Sequence, residues 1–155
     1  MKTAFLISSL NPGGAERVVS LLSNEFVKKN DVLIITINKS KPFYKLNDDI
    51  KIIALKDKQS SNNPLFAIFV NIKIILKLIY IYKKYSVKKL YCFLLTSNIL
   101  GIISSKIMSV DVTISERENP YIRKIKYWNF LRKIFYRYAD RLILQTEGSK
   151  KYFNS

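Results

Sequence analysis

The apolar residues of this chain follow two alternating periods. Six short, nearly continuous runs rich in Val, Ile and Leu read as strands: Thr3–Ser8, Asp31–Ile37, Lys51–Leu55, Lys89–Leu94, Val110–Ser115 and Arg141–Gln145. Between them, longer stretches carry apolar residues at helical spacing. Ala15, Val18, Val19, Leu22 and Phe26 fall at i, i+3, i+4, i+7 and i+11, which predicts a helix over Ala15–Lys29. Further helices are predicted over Phe66–Tyr85, Ser97–Met108 and Lys126–Ala139, with another beginning over Glu147–Phe153. Short apolar strands separated by helices predict an α/β fold, a three-layer parallel sheet covered on both faces.

In such sheets ligands bind beyond the carboxyl ends of the strands. Three segments fall there: Ser9–Gly14, Leu95–Ser97 and Glu116–Asn119. The first is the richest in chemistry. The opening strand breaks into Asn11-Pro12-Gly13-Gly14-Ala15-Glu16-Arg17 and the chain restarts as a helix. A Gly-Gly turn into a helix N-terminus exposes backbone N–H donors that favour anions. The same turn also serves as an ordinary strand-to-helix connection. The full G-x-G-x-x-G dinucleotide fingerprint is absent, so a nicotinamide or flavin cofactor is not indicated.

Charge narrows the partners. With 27 Lys and Arg against 11 Asp and Glu, the net charge of +16 points to nucleic acid, an anionic membrane or a phosphorylated substrate. The chain has no histidine, which removes the usual neutral-pH acid/base group and any histidine-built zinc site. No metal is required by anything in the sequence. The single Cys92 lies in an apolar run and reads as a buried, inert thiol; one cysteine is compatible with a reducing compartment and does not by itself establish one. Ala4–Leu10 is a poor signal peptide, because Gly-Gly-Ala-Glu-Arg is a poor cleavage region. Leu65–Tyr82 is long enough to span a bilayer, but Lys73 and Lys77 sit in its middle at about 2.5–3.5 kcal/mol each. The chain stops two residues past Phe153, in a helix barely begun, so more chain is expected.

Two basic helices carry the excess charge. Lys73, Lys77, Tyr80 and Lys84 fall within an arc of about 60° on the long helix. From Arg117 to Arg141 there are eight basic and two acidic residues. In the helix Lys126–Ala139, Lys126, Arg132, Lys133 and Arg137 share one half. Tyr127, Leu131, Ile134 and Tyr138 share the other, with Trp128 and Phe135 at the border. Aromatic bodies beside basic tips suit phospholipid headgroups or another polyanion, and equally the solvated face of a core helix. Glu116, Arg117 and Glu118 follow directly on a strand, offering Arg117 to phosphate and a carboxylate to sugar hydroxyls. Glu116 and Glu118 are poorly spaced for paired-carboxylate catalysis, since alternate residues of an extended chain point apart.

Three sequences coincide: Leu10-Asn11-Pro12-Gly13-Gly14-Ala15-Glu16-Arg17, Ile114-Ser115-Glu116-Arg117-Glu118-Asn119-Pro120, and Trp128-Asn129-Phe130-Leu131-Arg132-Lys133 with Tyr138-Ala139-Asp140-Arg141 beyond it. Together they resemble the N-terminal, acceptor-side domain of family 4 glycosyltransferases, bacterial retaining enzymes of GT-B fold, over essentially the whole of residues 1–155. The resemblance implies a Rossmann-like half of a two-domain enzyme, with a C-terminal donor-binding domain, in cis or in trans, across a cleft. It places Gly13, Gly14, Glu16, Arg17, Glu116 and Arg117 in the donor/acceptor cleft and leaves the catalytic residues unknown. It makes a nucleotide-sugar the donor substrate, with no further cofactor, and a lipid-linked or cell-envelope glycan the acceptor. It implies a peripheral position on the inner, cytoplasmic face of the membrane, with Lys73, Lys77, Tyr80, Lys84, Trp128, Arg132, Lys133 and Arg137 as contacts. Many relatives have histidine where this chain has Arg117, so that histidine's role does not carry over. The fragment alone is expected to be inactive. A membrane-anchoring half of a split enzyme is the first alternative. A nucleic-acid-binding protein is the second, although no nucleic-acid motif is present.

Overall fold

The apolar runs become six strands: β1 (Lys2–Ile7), β2 (Val32–Asn38), β3 (Lys51–Lys56), β4 (Val87–Phe93), β5 (Asp111–Glu116) and β6 (Arg141–Leu144). All neighbouring pairs are parallel, in the order β3-β2-β1-β4-β5-β6. The helices are α1 (Gly14–Phe26), α2 (Pro64–Lys84), α3 (Leu95–Met108) and α4 (Lys126–Phe135), the last followed by a 3-10 turn, Tyr136–Tyr138. The computed structural model describes residues 2–56, 64–117, 126–146, 148, 150 and 153, with backbone alone at 64–66 and 126–129. Of the helix expected over Glu147–Phe153, positions 148, 150 and 153 are helical; the others lie outside the described residues.

Among the described residues, the six strands and the four helices α1 to α4 lie within four residues of their predicted ends. Helix α4 ends at Phe135 rather than Ala139 because the chain tightens into the 3-10 turn; α1 ends at Phe26 rather than Lys29, and that shift too has a local cause. The Asn30 backbone N–H and its side-chain amide both donate to the Phe26 carbonyl, closing a turn that ends the helix.

The strand pleat sorts the core into two layers. Phe5 and Ile7 face α1, packing with Ala15, Val19, Ile34 and Phe93. Ala4 and Leu6 face the other side, where Ile74, Leu78 and Ile81 of α2 and Ile99 and Ile102 of α3 cover the sheet. This is the three-layer Rossmann-like arrangement. Gly101 lets α3 approach closely: a Cβ there would collide with the buried Cys92 sulfur. Burial pushes the Cys92 thiol pKa up, so it stays a protonated packing group.

The face predicted for α1 is rotated. Ala15, Val19, Ser20 and Ser23 are its buried residues, while Leu22 is partly exposed. Small serines allow close packing on the sheet, and the Ser20 hydroxyl is satisfied by the Glu16 carbonyl one turn back. Among the described residues no helix is long and apolar enough to cross a membrane.

Candidate functional site

Strand order reverses between β1 and β4, and the carboxyl edge there is the place where an α/β sheet opens a crevice. After β1 the chain crosses this edge in a braced loop. The Asn38 N–H donates to the Ser8 carbonyl at 2.9 Å and the Phe43 N–H to the Leu10 carbonyl at 3.0 Å. The Leu10 N–H donates to the Ser40 hydroxyl at 2.8 Å. Helix α1 then begins with Gly13 preceding it and no side-chain cap.

The two glycines differ in what they permit. Gly13 is extended, a conformation open to any residue; its requirement is space, because a Cβ would collide with the Glu16 carboxylate folded back over it. That carboxylate sits in the first turn, where the helix dipole favours negative charge. At Gly14 a Cβ would meet nothing, so the start of the helix stays open.

Strand β4 passes into α3 through Leu94, whose backbone (φ 72°, ψ 148°) lies in a region essentially reserved for glycine. The cost is about 1–3 kcal/mol. Helix α3 also starts without a side-chain cap. The Ser8 and Ser97 hydroxyls stand 3.4 Å apart, setting the β1 end beside the α3 start. Two uncapped helix N-termini therefore share one edge, each with unpaired N–H donors and a positive dipole end. Arg17 is exposed on the first turn of α1, and Arg117 is half-buried beyond β5. This arrangement suits an anionic ligand with several oxygens.

The structure corrects two expected site residues. Glu116 is almost fully buried and Arg132 entirely so. The pleat turns Glu116 to the same side as Ile114, under α3 and α4, while Ser115 faces the other way. There its carboxylate accepts a hydrogen bond from the Tyr136 hydroxyl at 2.7 Å and lies 3.1 Å from the Arg132 guanidinium. The Asn98 amide donates to the Tyr136 oxygen at 2.8 Å and to the Ser115 carbonyl at 3.2 Å. Glu116 thus anchors α4 to the sheet, and Arg132 is no surface contact. Burial first, then the neighbouring carboxylate, pushes the Tyr136 pKa well above the ordinary range, so its proton stays on the phenol. The sequence reading missed Asn98 and Tyr136. The spacing of Arg132 and Tyr136, four apart on one helical face, was the signal available.

Of the expected surface contacts, Lys73 lies over the Phe69 ring at 4.4 Å and Lys84 over the Tyr80 ring at 5.6 Å. The Lys77 ammonium donates to the Leu55 carbonyl. Lys133 and Arg137 are exposed, and Arg137 donates to the Tyr138 hydroxyl at 3.2 Å. The Trp128 side chain and all of Glu118 lie outside the described residues. The outer face of α2 carries more than the expected ridge of Lys73, Lys77, Tyr80 and Lys84. Ile68, Phe69, Ile72 and Leu76 are exposed on it beside Tyr80.

No protein-family model matches the chain. A curated alpha-1,4-N-acetyl-D-galactosaminyltransferase of Campylobacter jejuni, named for the acceptor GalNAc-alpha-(1->4)-GalNAc-alpha-(1->3)-diNAcBac-PP-undecaprenol, is 32% identical over 154 residues. The match takes in 99% of this chain and 42% of that enzyme, so the chain spans about two fifths of its curated relative. Among solved structures, sucrose-phosphate synthase of Thermosynechococcus elongatus superposes with a TM-score of 0.75 at 12% identity, over 99% of this chain and 44% of that one. UDP-N-acetylglucosamine 2-epimerase of Rickettsia bellii gives 0.70 at 14% identity, over 99% and 41%. Anabaena HepE in complex with UDP and glucose gives 0.66 at 16% identity, over 99% and 40%. What these structures share with the chain is its fold.

Proposed function

We propose that the chain is the acceptor-side half of a family 4 glycosyltransferase of GT-B fold. Completed by a donor-binding domain, in cis or in trans, it transfers a sugar from a nucleotide-sugar to a lipid-linked or cell-envelope glycan. The observation that carries this reading is the 32% identity to a galactosaminyltransferase across 99% of the chain. The carboxyl edge supports it chemically. N–H donors at the starts of α1 and α3, with the charges of Arg17 and Arg117, suit the phosphates of a departing nucleoside diphosphate. The contribution of this half is positioning and electrostatic stabilisation, terms that act without a titrating side chain and so fit a chain lacking histidine.

The test is a hybrid in which these residues replace the matching segment of the Campylobacter enzyme. Gly14→Asp places a carboxylate where a Cβ has open space and repels an incoming diphosphate. We expect sugar transfer by the folded hybrid to fall at least tenfold with Gly14→Asp, and by a comparable factor with Arg117→Ala. Unchanged turnover in both would remove the carboxyl edge from the reaction.

We further propose that the intact protein rests on an anionic membrane surface through α2. Apolar side chains at 68, 69, 72 and 76 are exposed beside Lys73, Tyr80 and Lys84, which is the composition of a helix lying in a lipid interface. The net charge of +16 favours an anionic surface and disfavours a second copy of the chain as the occupant.

A further inference from the structure

The amino-terminal edge of the sheet carries a second basic cluster, away from the proposed cleft. Lys2 opens β1, Lys51 opens β3, Lys84 closes α2, and Tyr85 follows immediately. Their ammonium groups lie 5.4, 4.7 and 5.9 Å from the centre of the Tyr85 ring. Ser86, in the left-handed region at φ 51°, turns the chain from α2 into β4 and holds Tyr85 at this corner. Lys83 and Lys88 are exposed on either side of it. Among the described residues no carboxylate pairs with Lys2, Lys51 or Lys84. Asp31 and Asp49, the acids just before β2 and β3, are exposed and form no ion pair with them.

Three like charges from three separate elements repel one another, and the face of one aromatic ring offsets only part of that. We propose that Lys2, Lys51, Lys84 and Tyr85 form a site for a phosphate group of two negative charges, the end of a phosphate monoester or a diphosphate. The ammonium groups engage its oxygens and the Tyr85 hydroxyl donates to one of them. The phenol already registers the local charge. The Lys51 ammonium above all, with Lys84 and Lys2 nearby, holds its pKa below the ordinary tyrosine value. A bound dianion compensates those lysines, so by linkage it returns the phenol toward its ordinary value. With strands of about six residues at ~3.3 Å each, this site lies about 20 Å from the carboxyl edge. It is independent of the proposed sugar transfer.

The experiment uses the whole 155-residue chain. Inorganic phosphate, pyrophosphate and phosphatidylcholine vesicles containing phosphatidic acid are titrated against chloride at matched ionic strength. Binding is followed by calorimetry or co-sedimentation. The ionisation of Tyr85 is followed as the ultraviolet difference between the parent chain and Tyr85→Phe. We expect Lys51→Ala to weaken binding about fivefold, Lys45→Ala, on the loop between β2 and β3 and outside the cluster around Tyr85, to leave it unchanged, and ligand to move the Tyr85 titration to higher pH. A response to soluble phosphate identifies a free phosphate ligand, and a response to vesicles alone a lipid headgroup; either supports the site. If no ligand moves the Tyr85 titration, or if Lys45→Ala and Lys51→Ala weaken binding equally, the proposal is overturned.

Discussion

Arg132 and Lys133 are neighbours with opposite environments. Arg132 is fully buried against Glu116, whereas Lys133 is exposed. Removing one partner of a buried ion pair strands the other charge, at about 3–5 kcal/mol, while an exposed lysine changes stability by about 0.5 kcal/mol or less. Arg132→Ala is therefore expected to unfold at much lower urea concentration and Lys133→Ala at nearly the parental one. Equal midpoints would contradict the buried pair. Tyr136, in the same network, makes a prediction about pH. Its folded pKa is raised, so its contribution is intact below the unfolded value near 10 and is lost as pH rises beyond it. Stability should fall on the alkaline side, and Tyr136→Phe should flatten that limb in denaturant titrations across pH, leaving the part due to Tyr82, whose pKa burial also raises. The sequence revealed charge and residue type at these positions but not direction. Arg132 belonged by charge to the basic surface, and only the packing of α4 beneath the sheet edge turns it inward.

At the level of elements, strands and helices were legible because period and punctuation agree. Continuous apolar runs became β1, β2, β4 and β5, and Asn30 and the Gly13-Gly14 pair mark real boundaries. Helix faces were less legible. On α2 the structure turns Ile74, Leu78 and Ile81 inward, and a mostly apolar helix offers no contrast in its sequence to say which of its apolar residues do so and which stay exposed. The uncovered face predicts behaviour. Leu76→Glu leaves the core untouched, since Leu76 is 60% exposed. Flotation with phosphatidylglycerol vesicles should drop severalfold for this variant at unchanged thermal stability. Retained flotation would remove α2 from the lipid contact.

Across the whole molecule, the parallel order β3-β2-β1-β4-β5-β6 collects the loop after β1, the start of α3 and the end of β5 on one edge, as alternating strands and helices imply. The Gly13-Gly14 turn was readable as part of that edge. The strained Leu94 was not, because no sequence signal marks a leucine that takes a glycine's conformation. Among the described residues the edge offers N–H groups, arginines and the Glu16 carboxylate, and the chain spans 42% of its transferase relative. These facts together define the claim that it forms one wall of a sugar-transfer site. Its most direct test is transfer of labelled N-acetylgalactosamine from its UDP donor to an undecaprenyl-diphosphate-linked glycan, with the isolated chain and the Campylobacter hybrid compared side by side. Transfer by the hybrid and none by the isolated chain is the expected result; a folded hybrid that transfers nothing, or an isolated chain that turns over unaided, would show that the chain is not one wall of such a site.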